Sequence, residues 1–182
     1  MKKVKVLLAA LLSVTVVLGT AVPTQAASST VDIEVKATDM DNVSVTVPSS
    51  IPIVFNADGT NTLPTNWTIE NKSSIAGIHL TQIEMNAGAS GWKLLCDSYD
   101  VKSMRANTKS IQFSVGLENN LKLVAPNNGQ EDEMGSVTFG ETDISIPSGE
   151  TKNLAFHVER GAFTQAEASA KAFDMVLTFN FN

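Results

Sequence analysis

The chain is poor in the residues that do chemistry. Its 182 residues include one cysteine, two histidines, two tryptophans and one tyrosine. A single cysteine, Cys96, excludes an internal disulfide, so stability has to come from a packed core and paired backbone. Cys96 follows Leu94 and Leu95, the context of a small buried apolar residue rather than a reactive thiol. The histidines stand on alternating segments, His79 between Ile78 and Leu80 and His157 between Phe156 and Val158. Each is placed on the polar face of a half-buried strand. Neither lies in a Gly-x-Ser-x-Gly turn, and there is no His-Glu-x-x-His or Cys-x-x-Cys spacing to suggest a zinc site. The chain is therefore read as a non-enzyme. Basic residues are also few, 13 Lys and Arg against 19 Asp and Glu. Nucleic acid, which is held through clustered cations that displace counterions, is excluded as a partner.

Three of those 13 basic residues, Lys2, Lys3 and Lys5, precede an uncharged apolar run from Val6 to Leu18, followed by Gly19, Pro23, Ala26 and Ala27. A basic start, a short apolar stretch and small residues after it form the pattern of a secretory signal peptide cleaved after Ala26. The run is shorter than the roughly 20 residues a spanning helix needs, and no second apolar run follows. Residues 1–26 are assigned to the leader and residues 27–182 to one domain without a transmembrane segment. The leader carries three positive charges and no negative ones, so ten basic and 19 acidic residues remain, a net charge of −9. Localisation is expected to be secreted, at the cell surface, in a bacterium that makes little use of disulfides.

Beyond residue 30, apolar side chains recur at every second position and turn residues separate the runs. Val31, Ile33 and Val35 form one such run, and Val43, Val45 and Val47 a second. With Asp39, Asp41 and Asn42 between them, the two are predicted to pair as a hairpin. Pro48 and Pro52 put the next segment, through Ile53, Val54 and Phe55, at a sheet edge or crossover, because proline cannot donate to a central ladder. Trp67 and Ile69 are predicted to pair with Ile78 and Leu80 across a turn at residues 71–74. Further strands are expected over residues 92–96, 111–117, 121–123, 137–146 and 154–158, with a tight turn at Pro147 to Glu150. Residues 164–172, rich in Ala and Glu, are given one short helix or a loop. The final run places Phe173, Met175, Leu177, Phe179 and Phe181 on one face, a core strand at the C-terminus. About ten short strands predict an all-β, antiparallel β-sandwich with Greek-key or jelly-roll wiring, a closed barrel being the alternative.

The segment Gly91-Trp92-Lys93-Leu94 resembles the first Trp-x-Leu motif of WxL-domain cell-surface proteins of Gram-positive bacteria. The family's second motif is absent, since the last strand carries no tryptophan. The run Trp67-Thr-Ile-Glu-Asn-Lys-Ser with Ile78-His-Leu-Thr-Gln-Ile is similar to strand-turn-strand units of bacterial surface sandwiches, including TasA-type fibre proteins. These resemblances imply a structural or adhesive protein, with Trp92 and Leu94 contacting wall peptidoglycan or polysaccharide without a covalent bond. The partner could equally be another surface protein or another copy, joined through an edge strand such as Val31 to Val35. A fimbrial or pilin-like subunit is a further alternative, suggested by the alternating C-terminal strand.

A second class of function is a carbohydrate-binding module, in which exposed Trp67, Trp92 or Tyr99 would stack on sugar rings. A third, a glycan-cleaving enzyme, would need two carboxylates at catalytic separation. The visible acidic cluster, Glu131, Asp132 and Glu133, reads instead as a solvated loop. No cofactor is implied. Calcium is the one metal to weigh, with Asp39, Asp41 and Asp58 as candidate oxygen ligands, although neither loop has EF-hand spacing and such residues commonly bond their own turn backbone.

Overall fold

The computed structural model describes residues 29–37, 44–56, 58–164 and 169–182. The proposed leader and the Asp39–Asp41 turn lie outside these residues. In chain order the strands are β1 (Ser29–Ala37), β2 (Val45–Thr46), β3 (Ser50–Phe55), β4 (Asn61–Thr62), β5 (Trp67–Asn71), β6 (Ile78–Ala87), β7 (Lys93–Leu95) and β8 (Ser110–Leu117). They continue as β9 (Asn120–Leu123), β10 (Ala125–Pro126), β11 (Glu131–Asp132), β12 (Gly135–Thr138), β13 (Ser145–Ile146), β14 (Thr151–Arg160) and β15 (Ala170–Phe181). One 3₁₀ turn, Val101–Ser103, is the helical element among the described residues. No described helix is long and apolar enough to cross a membrane.

Two sheets pack face to face as a sandwich. The first runs β10-β12-β6-β15-β1-β3-β4, with β13 also on β6; the second runs β11-β7-β8-β14-β5-β2, with β9 on β8. The alternation read in the sequence is what fills the space between them. Val31, Ile33, Ile51, Ile53, Ile83, Met85, Phe173, Met175 and Leu177 come from the first sheet, and Trp67, Ile69, Leu94, Ile111, Phe113, Val115, Leu154 and Val158 from the second.

The pairing departs from expectation in several places. β1 does not form a hairpin with the Val45 segment. It lies between β15 and β3, parallel to β15 with Val31 opposite Ala170 and Ala37 opposite Leu177, and antiparallel to β3 with Val31 opposite Ile53. Val45 and Thr46 instead pair with Asn71 and Glu70 in the second sheet. Nor are β5 and β6 partners, because the chain changes sheets between them. The reason is Asn71, a fully buried side chain whose Nδ2 donates to the carbonyls of Ala76, Ile146 and Pro147, while its Oδ1 accepts from the Ser73 amide. That network shapes residues 71–77 into a crossover where a tight turn was expected. A second parallel pair, β7 with β8, makes both sheets mixed rather than purely antiparallel.

The central strand β15 is the longest, and β6 pairs with it from Phe173–Ala87 to Phe181–Ile78, with a bulge between Thr178 and Phe179. Its start at Ala170 turns residues 170–172 into strand where a helix or loop was predicted. Across the outer face, Lys171 bridges Glu34 at 2.9 Å and Asp174 at 3.0 Å, tying β1 to β15. Pro52, on β3, faces Asp32 on β1, and β4 covers only Val54 and Phe55 of β3. Proline therefore sits where no outer neighbour requires its missing amide hydrogen, as its chemistry demands.

Candidate functional site

The residues expected to meet a ligand go to the core. Trp92 is 1% exposed and Trp67 2%, and Leu94 is fully buried. Trp92 follows Gly91, whose positive φ of 71° turns the chain inward, and packs its ring against Phe55 at 5.5 Å and Phe163 at 5.8 Å. Trp67 meets Phe156 edge-on at 5.5 Å and donates its indole N–H to the Ser50 carbonyl at 3.0 Å, a link between the two sheets. These are the contacts of core tryptophans, and the indole N–H of Trp67 is satisfied within the protein. Sugar stacking on either tryptophan, and wall contact through Trp92 or Leu94, are thereby corrected. Tyr99 is half-buried, and its carbonyl and that of Cys96 accept from the Gln112 amide at 3.0 and 2.6 Å. Cys96 is also half-buried, not enclosed, with Sγ 3.2 Å from the Ser98 hydroxyl.

Asp58 closes its own turn. Its Oδ1 accepts from the Thr60 amide at 2.9 Å and the Thr60 hydroxyl at 2.6 Å, contacts that hold the carboxyl below its ordinary range. This is the Asx-turn use of the residue. Among the described residues no group of three His, Cys, Asp or Glu side chains is placed to hold a metal.

The same loop is fastened from across the sandwich by Arg160. Its Nη2 donates to the Asn56 carbonyl at 3.0 Å and its Nε to Asn61 Oδ1 at 2.9 Å, while the guanidinium lies 4.8 Å from the Phe55 ring centre and 5.3 Å from Phe163. Burial pulls its pKa down from the ordinary arginine value. These contacts are all to protein groups, and through them Arg160 organises a corner of the fold.

A more open arrangement lies where β6 begins and β15 ends. A depression of about 500 Å³ is lined by His79, Glu141, Thr142, Ser145, Phe181 and Asn182. His79 lies on the face of β6 opposite the core residues Ile78 and Leu80, as the alternation predicts, yet it is only 4% exposed. The polar face expected for it is covered at this point by what folds over it. Asn182 donates its backbone amide to the Gly77 carbonyl at 3.0 Å, which brings its side chain across the start of β6. There Nδ2 donates to Ser145 Oγ at 2.7 Å and Oδ1 lies 2.8 Å from His79 Nδ1. Because that amide oxygen is an acceptor, Nδ1 carries the proton. The neutral ring then presents Nε2 as an acceptor, and among the described residues Nε2 has no hydrogen-bond partner.

The opposite rim is a rigid turn. Asp143 Oδ2 accepts from the Gly140 amide at 2.8 Å and from Lys122 Nζ at 2.6 Å, and Asp143 returns its own amide to the Gly140 carbonyl at 3.0 Å. Lys122 also lies 5.3 Å from the Phe139 ring centre. The lysine contact, then the amide, hold the Asp143 carboxyl below its ordinary range. Glu141 and Thr142, at the exposed crown of this turn, are thus held in place by neighbours that do not themselves line the depression. Phe181, expected in the core, is 44% exposed and forms part of the wall.

Sequence reading placed His79 on a strand but did not connect it with Glu141, Thr142, Ser145 or Asn182. The one available signal was the Gly-Glu-Thr-Asp turn at residues 140–143; the pairing of a chain end with a turn nearly forty residues earlier left no trace in local spacing. No family description, curated protein or solved structure matches the chain.

Proposed function

We propose that the chain is an exported structural and adhesive protein of the cell envelope, held without a covalent bond to wall polymer, and not an enzyme. The observation that carries this reading is the parallel pairing of β1 and β15 in the middle of one sheet. In a parallel pair the outward-leading ends lie at opposite ends of the ladder. A pull applied at the N-terminal end of β1 and the C-terminal end of β15 loads all seven paired positions in shear together, whereas an antiparallel terminal pair would open one bond at a time. A protein that anchors surfaces benefits from that geometry, and the leader-like N-terminal sequence supplies the route outward.

Assembly through an open edge is the weaker variant of this reading. The strand named for that role, Val31 to Val35, has neighbours on both sides. The sheets end in β10, β4, β11 and β2, each two residues long, and such short edges limit pairing with another chain. β9, four residues paired with β8 alone, and residues 50–53 of β3, which β4 does not cover, are longer edges among the described residues.

The test is fractionation of cells expressing the full chain, together with co-sedimentation of purified residues 27–182 with isolated wall sacculi. The reading expects loss of the leader, recovery with the envelope, and pelleting that a wall-polymer competitor reverses. Cytoplasmic recovery at full length would overturn it. Absence of pelleting accompanied by large homo-oligomers in sedimentation velocity would replace wall binding by self-assembly.

A further inference from the structure

We infer that the depression between the start of β6, the Gly140–Asp143 turn and the end of β15 is a binding site for a neutral saccharide. Its volume of about 500 Å³ falls in the usual range for small-ligand sites. A sugar ring offers hydroxyls that each donate one hydrogen bond and accept others, so its site needs fixed acceptors and donors side by side. Both are present. His79 Nε2 and the Glu141 carboxylate accept; the Ser145 hydroxyl, already accepting from Asn182 Nδ2, is left with its proton to donate, and Thr142 adds a second hydroxyl. The buried imidazole carries the most weight. His79 as a whole is 4% exposed, and a ring nitrogen of so buried a residue without a protein partner among the described residues costs free energy unless water or a ligand meets it; this residue lines the opening.

Charge narrows the ligand class. Glu141 is the acidic side chain in the lining and no lysine or arginine lines it, while the whole chain carries a net charge of −6. Uronates and phosphorylated sugars are disfavoured by both. Phe181 supplies an apolar wall suited to the C–H face of a pyranose. The groups are preorganised: Asn182 fixes the His79 tautomer, and Asp143 with Lys122 fixes the turn that carries Glu141 and Thr142, so little ordering remains for the ligand to impose. The site lies apart from Trp67 and Trp92, and it rests on the envelope reading only for the source of the saccharide.

The experiment is titration of ¹⁵N-labelled residues 27–182 with glucose, galactose and N-acetylglucosamine, and separately with glucuronate, followed by amide and imidazole ¹⁵N shifts. The inference expects saturable shifts at His79 Nε2, residues 140–145 and 181–182 for at least one neutral sugar. Glu141→Gln and Thr142→Val, both on the exposed turn, should each weaken binding by about tenfold, while Lys152→Ala, on β14 in the second sheet, leaves it unchanged. His79→Gln is the second probe, its folding checked by the dispersion of the same spectrum. Overturning results are no saturable shift with any neutral sugar, shifts confined to other surfaces, or tighter binding of glucuronate. Wall pelleting that persists while sugar binding fails would retain the envelope reading and reject this site.

Discussion

Replacing Ile33 by alanine separates a central β1 from a loosely attached one. Ile33 is fully buried, opposite Ile51 on β3 and Phe173 on β15. The change removes three carbon groups, about 2.5 kcal/mol of transfer free energy at about 0.8 kcal/mol each. The cavity left between two paired neighbours raises the loss to about 3–4 kcal/mol. For a domain of this size that corresponds to a fall in Tm of about 6–15 °C. The control is the same deletion at Ile75, which is 77% exposed and should shift stability by less than about 0.5 kcal/mol. Urea denaturation followed by far-UV circular dichroism, with equal m values as a check on two-state behaviour, measures both. A loss below about 1 kcal/mol at Ile33, or equal losses at the two sites, would refute the placement of β1 in the core.

Three other outcomes follow from particular contacts. Gly88→Ala puts a Cβ at 2.4 Å from the Ala172 carbonyl oxygen and 2.5 Å from that of Lys171; backbone must move, and thermal unfolding should show a loss of at least about 2 kcal/mol, with an unchanged Tm contradicting the close approach. Asp143, whose folded pKa lies below its ordinary 3.8, contributes stability that is complete above 3.8 and is lost as pH falls through the lower folded value. The stability difference between the native chain and Asp143→Asn should therefore be largest at pH 7 and shrink towards pH 2, and a difference independent of pH would remove Lys122 and Gly140 as its partners. Trp67 and Trp92, at 2% and 1% exposure, should emit at short wavelength and resist acrylamide, and quenching like that of free indole would place at least one of them on the surface.

Period-2 alternation makes most strands legible in the sequence, because each has one face on the core: Ile111, Phe113 and Val115 on β8, and Phe173 to Phe179 on β15, fall where the pattern puts them. Strand partners were not visible. Alternation fixes which face is buried and is silent on which edge meets which neighbour, so proximity in sequence misleads for β1 and again for β5. The buried Asn71, which directs one of those crossovers, looks in sequence like any turn asparagine. The tryptophans illustrate the same limit, since a ring beside a glycine suits a surface platform and a core anchor equally. The depression is hidden for a related reason: its groups come from residues 79, 141, 142, 145, 181 and 182, brought together by β13 and β15 pairing on opposite sides of β6.

The parallel registry of β1 with β15 is open to direct trapping. Glu34 and Asp174 are opposite one another, and adjacent strands about 5 Å apart fall within disulfide reach. With Cys96→Ser in place to remove the native thiol, Glu34→Cys combined with Asp174→Cys should oxidise to an intramolecular disulfide in the monomer, while Glu34→Cys combined with Thr178→Cys, four residues out of register, should not. Efficient closure of the second pair, or closure of the first only between molecules, would contradict a sheet in which the first and last strands run side by side.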